Sequence, residues 1–159
     1  MSSTASASPR AQAWLWALAT AAVVLLIDQL AKIAVRDSIA LGETRSLLPG
    51  LVQLVDARNR GIAFGFLPGQ QWLVTALIAL ALLVLLAYFA RHSTRPFLWL
   101  ATGMLLGGAL GNVLDRIRAG SVTDFVKLPL GWPPFNLADA AITIGVFLLV
   151  LTIERRERA

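Results

Sequence analysis

The chain has 159 residues, of which 57% are hydrophobic and only 14% charged, with a mean hydropathy of +0.72. Ordinary soluble domains carry about 25% charged residues, so this composition belongs to an integral membrane protein. The absence of cysteine excludes a disulfide framework, a thiolate metal site and a cysteine nucleophile, and one histidine, His92, cannot by itself build a zinc site. A net charge of +5 with a pI near 11.1 does not point to nucleic acid, because the basic residues are scattered around apolar segments without interleaved aromatics. Anionic lipid headgroups are the better counter-charge.

In chain order, the Ser/Ala-rich opening, residues 1–12, reads as disordered and matches no motif. Its Arg10 ahead of an apolar run resembles a secretory signal, but no small-x-small cleavage pattern follows, so the run is kept as a helix. A helix needs about 20 apolar residues to cross a hydrocarbon core of roughly 30 Å. Four stretches qualify, at about 13–35, 72–89, 97–114 and 137–153. The expected fold class is therefore an all-α integral membrane protein with four transmembrane helices. An even number of spans puts both termini on one side. Basic residues are denser in the N-terminus, the "RHSTRP" turn and the closing "ERRERA" (154–159, with 155–159 as the tail beyond the last span) than in the other two loops, which makes those segments cytoplasmic and places the loops at about 36–71 and 115–136 on the outer face. The raw counts on the two sides nearly tie. Within the first outer loop, "LLPGLVQLVDARNRGIAFGF" mixes β-branched and apolar residues with Gly and Pro, which favours one or two short strands and a small extracytoplasmic β element.

Charged residues inside membrane helices cost roughly 2.5–3.5 kcal/mol each on insertion scales, so the polar exceptions carry the information. In the first span Asp28 and Lys32 stand at i, i+4, as an ion pair that neutralises both groups or braces a neighbouring site. Gly103, Gly107 and Gly111 form a small-residue stripe in the third span, which reads as helix packing. At its end Asn112 and Arg116 share a face; Arg116 could be a snorkelling anchor, and Asp115 reads as the partner of a nearby arginine or of backbone donors. In the fourth span Asn136 could be the helix cap, with Asp139 favoured by the helix dipole; a cap alone leaves the second polar residue unexplained. Asp124, in "VTDFV", would by itself be a solvated loop carboxylate.

These residues limit the chemistry. His92 lies in the cytoplasmic turn, away from the polar cluster, which argues against a Ser-His-Asp triad. A Ser-Lys dyad of Ser121 with Lys127 or Lys32 is possible on residue types and has no supporting motif. Two aspartates brought together would share one proton, one activating water and the other polarising a carbonyl, with no metal, cofactor or covalent intermediate. A non-enzyme alternative is a proton- or ion-coupled transporter subunit, whose charges would be spread through the membrane depth; another is a membrane assembly protein, in which the aspartates would be dispensable.

Four blocks in order, "DQLAK" (28–32), "NRGIAFGF" (59–66), "GNVLDRIRAGSVTDF" (111–125) and "FNLAD" (135–139), resemble lipoprotein signal peptidase, or signal peptidase II. The resemblance spans about residues 14–153 and implies a four-helix membrane bundle with a β cradle and a mobile helical arm. It implies that Asp124 and Asp139 are the catalytic pair, that Asn112, Arg116 and Asn136 surround them, that Asn59 and Gly61 lie in a loop that helps hold substrate, and that Asp28 and Lys32 support the site. It implies a prolipoprotein substrate whose cysteine bears diacylglyceryl, cleaved just before that cysteine, in the bacterial inner membrane, and inhibition by globomycin. No nucleic acid and no obligate protein partner follow from it. The compact spacer between the aspartates, "FVKLPLGWPPFNLA", leaves little room for an arm.

Overall fold

The computed structural model describes residues 7–61, 70–129 and 131–157. In chain order it comprises α1 (Pro9–Ser38), β1 (Thr44–Leu48), β2 (Val52–Asn59), α2 (Gln71–His92), α3 (Leu98–Ala119), β3 (Val122–Lys127) and α4 (Leu137–Glu157). All four helices are long and apolar enough to cross a membrane.

Helix α1 starts four residues before the expected span, so residues 9–12 are helical where disorder was expected. Pro9 at the first helical position brings a pre-set φ, and Ser8 Oγ accepts from Ala11 N, so the start is capped. At about 1.5 Å per residue this 30-residue helix is roughly 45 Å long, more than the hydrocarbon core requires.

The bundle is apolar on its outside. Leu15, Leu18, Leu26 and Leu30 of α1, Leu80 and Leu83 of α2, and Phe147 and Val150 of α4 are all exposed, as expected of surfaces solvated by lipid. Helix α3 is the centre: 61% of its apolar window is buried, against 17–22% in the other three. Its glycines make this possible. A Cβ at Gly107 would lie 2.6 Å from the Ala21 carbonyl oxygen of α1, and one at Gly108 would lie 2.5 Å from the Ala138 carbonyl oxygen of α4. Bare backbone on two faces of α3 therefore lets α1 and α4 approach from both sides.

At one end of the bundle sits a three-stranded antiparallel sheet in the order β1-β2-β3. Two strands in the first long loop agree with the sequence reading; β3 does not appear in it. "VTDFV" becomes a strand because β2 supplies a partner from across the chain, with Ala57 opposite Asp124 and Asn59 opposite Val122. Phe125 on β3 packs with Val35 and Ile39, which fastens the sheet to the end of α1. Between β3 and α4 the chain turns through Pro129, Gly131, Pro133 and Pro134 and pairs Phe135 with Val126 through main-chain hydrogen bonds. No helix forms among the described residues of this turn, where three prolines remove donors and disfavour helix in the residues before them. Residues 62–69, which carry much of "NRGIAFGF", lie outside the described residues.

Candidate active site

Asp124 points from the middle of β3 into the bundle end and is only 3% exposed, not a solvated loop carboxylate. Its Oδ2 accepts from Asn59 Nδ2 at 3.0 Å and its Oδ1 from Asn136 Nδ2 at 2.7 Å. Asn59 is oriented by its own loop, since its Oδ1 accepts from Gly61 N at 2.9 Å, which turns the amide donor toward Asp124. The Gly61 carbonyl in turn accepts from Arg116 Nη2 at 2.9 Å, and Arg116 Nη1 donates to the Asn112 carbonyl. Arg116 thus ties the β2 exit to α3 and is not a snorkelling anchor.

Asp139 stands in the first turn of α4. Its Oδ1 accepts from Asn112 Nδ2 at 2.8 Å and its Oδ2 from Asn136 N at 3.3 Å, while Asn136 Oδ1 accepts from Asp139 N at 2.9 Å. The last two bonds form a reciprocal capping box, so the cap accounts for both backbone contacts. It does not account for the Asn136 amide group, whose two protons go to Asp124 Oδ1 and, at 3.2 Å, to Asn112 Oδ1. Each aspartate is therefore held by an asparagine amide, and the two amides are bonded to each other.

Beneath this pair lies a buried ionic layer. Lys32 Nζ contacts Asp28 Oδ2 at 2.8 Å, Asp115 Oδ2 at 3.1 Å and Asn112 Oδ1 at 3.0 Å, and both Lys32 and Asp28 are fully buried. Asp28 Oδ1 also accepts from Ala138 N at 2.9 Å, which joins α1 to the start of α4. Of the two partners expected for Asp115, a nearby arginine or backbone donors, the structure has the second, Thr123 N; its cation is Lys32, which projects from the facing helix, and it also accepts from Gln29 Nε2. The ion pair and the brace are thus one arrangement: Lys32 neutralises Asp28 and at the same time fixes the Asn112 oxygen, leaving its amide to Asp139.

All nine residues singled out from the sequence, Asp28, Lys32, Asn59, Gly61, Asn112, Arg116, Asp124, Asn136 and Asp139, fall in this one connected network. Sequence reasoning missed Gln29 and Thr123. Gln29 sits inside "DQLAK" and bonds to Asp28, Asp115 and the Gly111 carbonyl. Thr123 receives Arg36 and Arg58 on its hydroxyl. A buried Gln beside a charged pair in a membrane helix was the available signal; nothing local marked Thr123.

The two aspartates open onto a cavity of about 950 Å³. Asn59, Asn112 and Arg116 form its polar side, and Trp132, Phe135 and Ile142 are among the apolar residues that face them. Burial pushes the Asp124 carboxyl up to about 7; the nearby Asp139 adds to this, and the Asn59 and Asn136 amides partly offset it. The Ser-Lys alternative finds no base here. Lys32 is taken up by contacts with two carboxylates, and Lys127 is exposed at the end of β3. His92 lies at the opposite end of the bundle, at the close of α2. The polar groups gather at one end and are not strung through the membrane depth, unlike a relay.

Residues 20–155 match the family model described as Signal peptidase (SPase) II. The chain belongs to the signal peptidase II family. Among curated members called "Lipoprotein signal peptidase", that of Paraburkholderia phymatum is 43% identical over 148 residues, covering 89% of each chain. Those of Burkholderia mallei and Halothermothrix orenii are 45% and 37% identical, covering 86% of this chain and 86% and 93% of the relatives. Two solved structures, each described as a bacterial membrane enzyme obtained by the in meso method, are 29% identical. They superpose with TM-scores of 0.83 (87% of each chain) and 0.79 (86% of this chain, 91% of the other). Membership in the signal peptidase II family makes this chain a multi-pass membrane peptidase.

Proposed function

We propose that Asp124 and Asp139 form an aspartic dyad that removes the signal peptide from diacylglyceryl-modified prolipoproteins, cleaving just before the lipidated cysteine. The observation that carries this reading is the pairing itself. Two carboxylates from different elements, β3 and α4, are held by mutually bonded asparagines at the mouth of one cavity.

Asp124, raised by burial to about 7, is the member that keeps the shared proton up to about that pH and polarises the scissile carbonyl. Asp139, in the first turn of α4, accepts from the Asn112 amide and the Asn136 main-chain N–H and serves as the base of the pair. It takes a proton from water as the water oxygen bonds to the carbonyl carbon. The resulting diol collapses, the C–N bond breaks, and a proton passes to the leaving amine. The products are a carboxylic acid and an amine, with one water consumed.

Lipid access fits the same geometry. Apolar residues of α4 and the Pro-rich turn border the cavity, so acyl chains can lie along them while the peptide reaches the carboxylates. Arg91 and Arg95 sit at the opposite end of the bundle, with Arg10 near the start of α1, which favours that end as the cytoplasmic side of the inner membrane and the dyad end as the outer face. Inhibition by globomycin follows if the lipopeptide occupies the same cavity.

The test uses purified full-length protein, a diacylglyceryl-modified prolipoprotein, and the variants Asp124→Asn and Asp139→Asn. Each variant should insert, fold and lose cleavage. Full activity in either one removes that aspartate from the chemistry.

A further inference from the structure

At the end of the bundle away from the carboxylates, the α2–α3 turn and the last turns of α4 enclose a second cavity of about 590 Å³. Pro96, Phe97, Leu148 and Leu151 give it apolar walls, and His92 and Arg95 give it a basic edge. Both basic side chains are positioned by one residue, Tyr88. Arg95 donates to Tyr88 Oη and stacks over the ring at 5.4 Å, and His92 Nδ1 donates to the Tyr88 carbonyl at 2.9 Å with the two rings 4.5 Å apart. Among the described residues the acidic partners of cations are Asp28, Asp115, Glu43 and Asp56, none of which pairs with Arg91 or Arg95. Glu154, one turn beyond Leu151, makes no ion pair with them either. Phe97 completes the edge: it adopts φ 60, a left-handed conformation that L side chains rarely take, and its residue stays 55% exposed.

A preset guanidinium with no carboxylate partner among the described residues is suited to a phosphate, which it can grip with paired donors. Apolar walls continuous with a lipid-facing helix are suited to hydrocarbon. We propose that this cavity seats an anionic phospholipid, with its headgroup phosphate on Arg95 and His92 and an acyl chain against Leu148 and Leu151. The site is independent of the peptidase chemistry at the other end.

The test is thermal unfolding of the purified full chain in neutral detergent micelles titrated with phosphatidylglycerol, alongside native mass spectrometry to count retained lipid. Phosphatidylglycerol should raise the Tm and leave one lipid bound, whereas phosphatidylcholine and inorganic phosphate should not. Arg95→Gln should weaken the apparent lipid affinity by about fivefold, the contribution typical of one basic residue at an anionic surface. Leu151→Trp, which fills the cavity without changing charge, should abolish the response, and Arg45→Gln, outside the cavity, should leave it intact. An equal Tm rise with phosphatidylcholine or with inorganic phosphate would overturn the proposal. So would an undiminished response in Arg95→Gln, or in Leu151→Trp should Arg95→Gln fail to fold.

Discussion

Asn136 is fully buried and does two jobs with different atoms, so one substitution can separate them. Its Oδ1 caps α4 through Asp139 N, and its Nδ2 donates to Asp124 Oδ1 at 2.7 Å. Asn136→Asp keeps the capping oxygen, and Asp is about as good a cap as Asn, so the helix start should change by a few tenths of a kcal/mol at most. The amide donor, however, becomes a carboxylate oxygen next to Asp124. Losing one hydrogen bond to a charged group costs about 1.5–3 kcal/mol, and each 1.36 kcal/mol in the barrier is tenfold in rate. Cleavage of a lipidated prolipoprotein should therefore fall roughly 10- to 150-fold, or further if repulsion displaces Asp124. Asn136→Ala should lose the rate and also about 1 kcal/mol of stability, because the cap is gone. The assay pairs initial rates with thermal unfolding on the same detergent-solubilised samples. Wild-type turnover in Asn136→Asp would show that capping is the residue's whole role and would refute the link between the amide and the dyad.

Lys32→Met should cost about 3–5 kcal/mol in unfolding, since it strands Asp28 and Asp115 without their cation; a change below about 1 kcal/mol would dismiss the ionic layer as a support. Activity should decline as pH rises through about 7, where Asp124 loses the proton the dyad needs, and a flat profile from pH 6 to 8 would contradict that assignment. The same group sets a stability trend. Asp124 holds its proton up to about 7 in the fold against 3.8 ordinarily, so the folded state binds more protons between those values and stability falls as pH rises across them; Asp124→Asn should flatten the slope. Gly107→Ala should destabilise by about 1–3 kcal/mol, because the new methyl meets Ala21 backbone at 2.6 Å; an unchanged melting temperature would mean that α1 and α3 separate freely.

Much of this was legible in the chain. Each span is an apolar run of the required length, and Asp28, Lys32, Asn112, Arg116, Asn136 and Asp139 stand out because charge and amide are costly in such runs. What escaped depends on partners distant in sequence. Strand β3 is six residues whose partner strand is β2, more than sixty positions away, and no turn signal links the two. The burial of Asp124 follows from that pairing, so its environment was invisible while its segment read as loop. The α1 start was missed for a local reason: small polar residues look disordered, and the Ser8–Pro9 cap is short. For Asp115 the backbone donor is there in Thr123 N, while the cation is Lys32 and not an arginine, because helix packing brings it across from α1.

The pairing of Phe135 with Val126 has a consequence for how such a site can change over time. Because that bridge closes the chain on itself between the two aspartates, residues 127–134 are spliced out of the mechanical path that sets their separation. The length of this segment can therefore change while the bridged ends keep Asp124 and Asp139 in register. Freedom to vary and constancy of the spacing between the two carboxylates are thereby assigned to different stretches of a short chain.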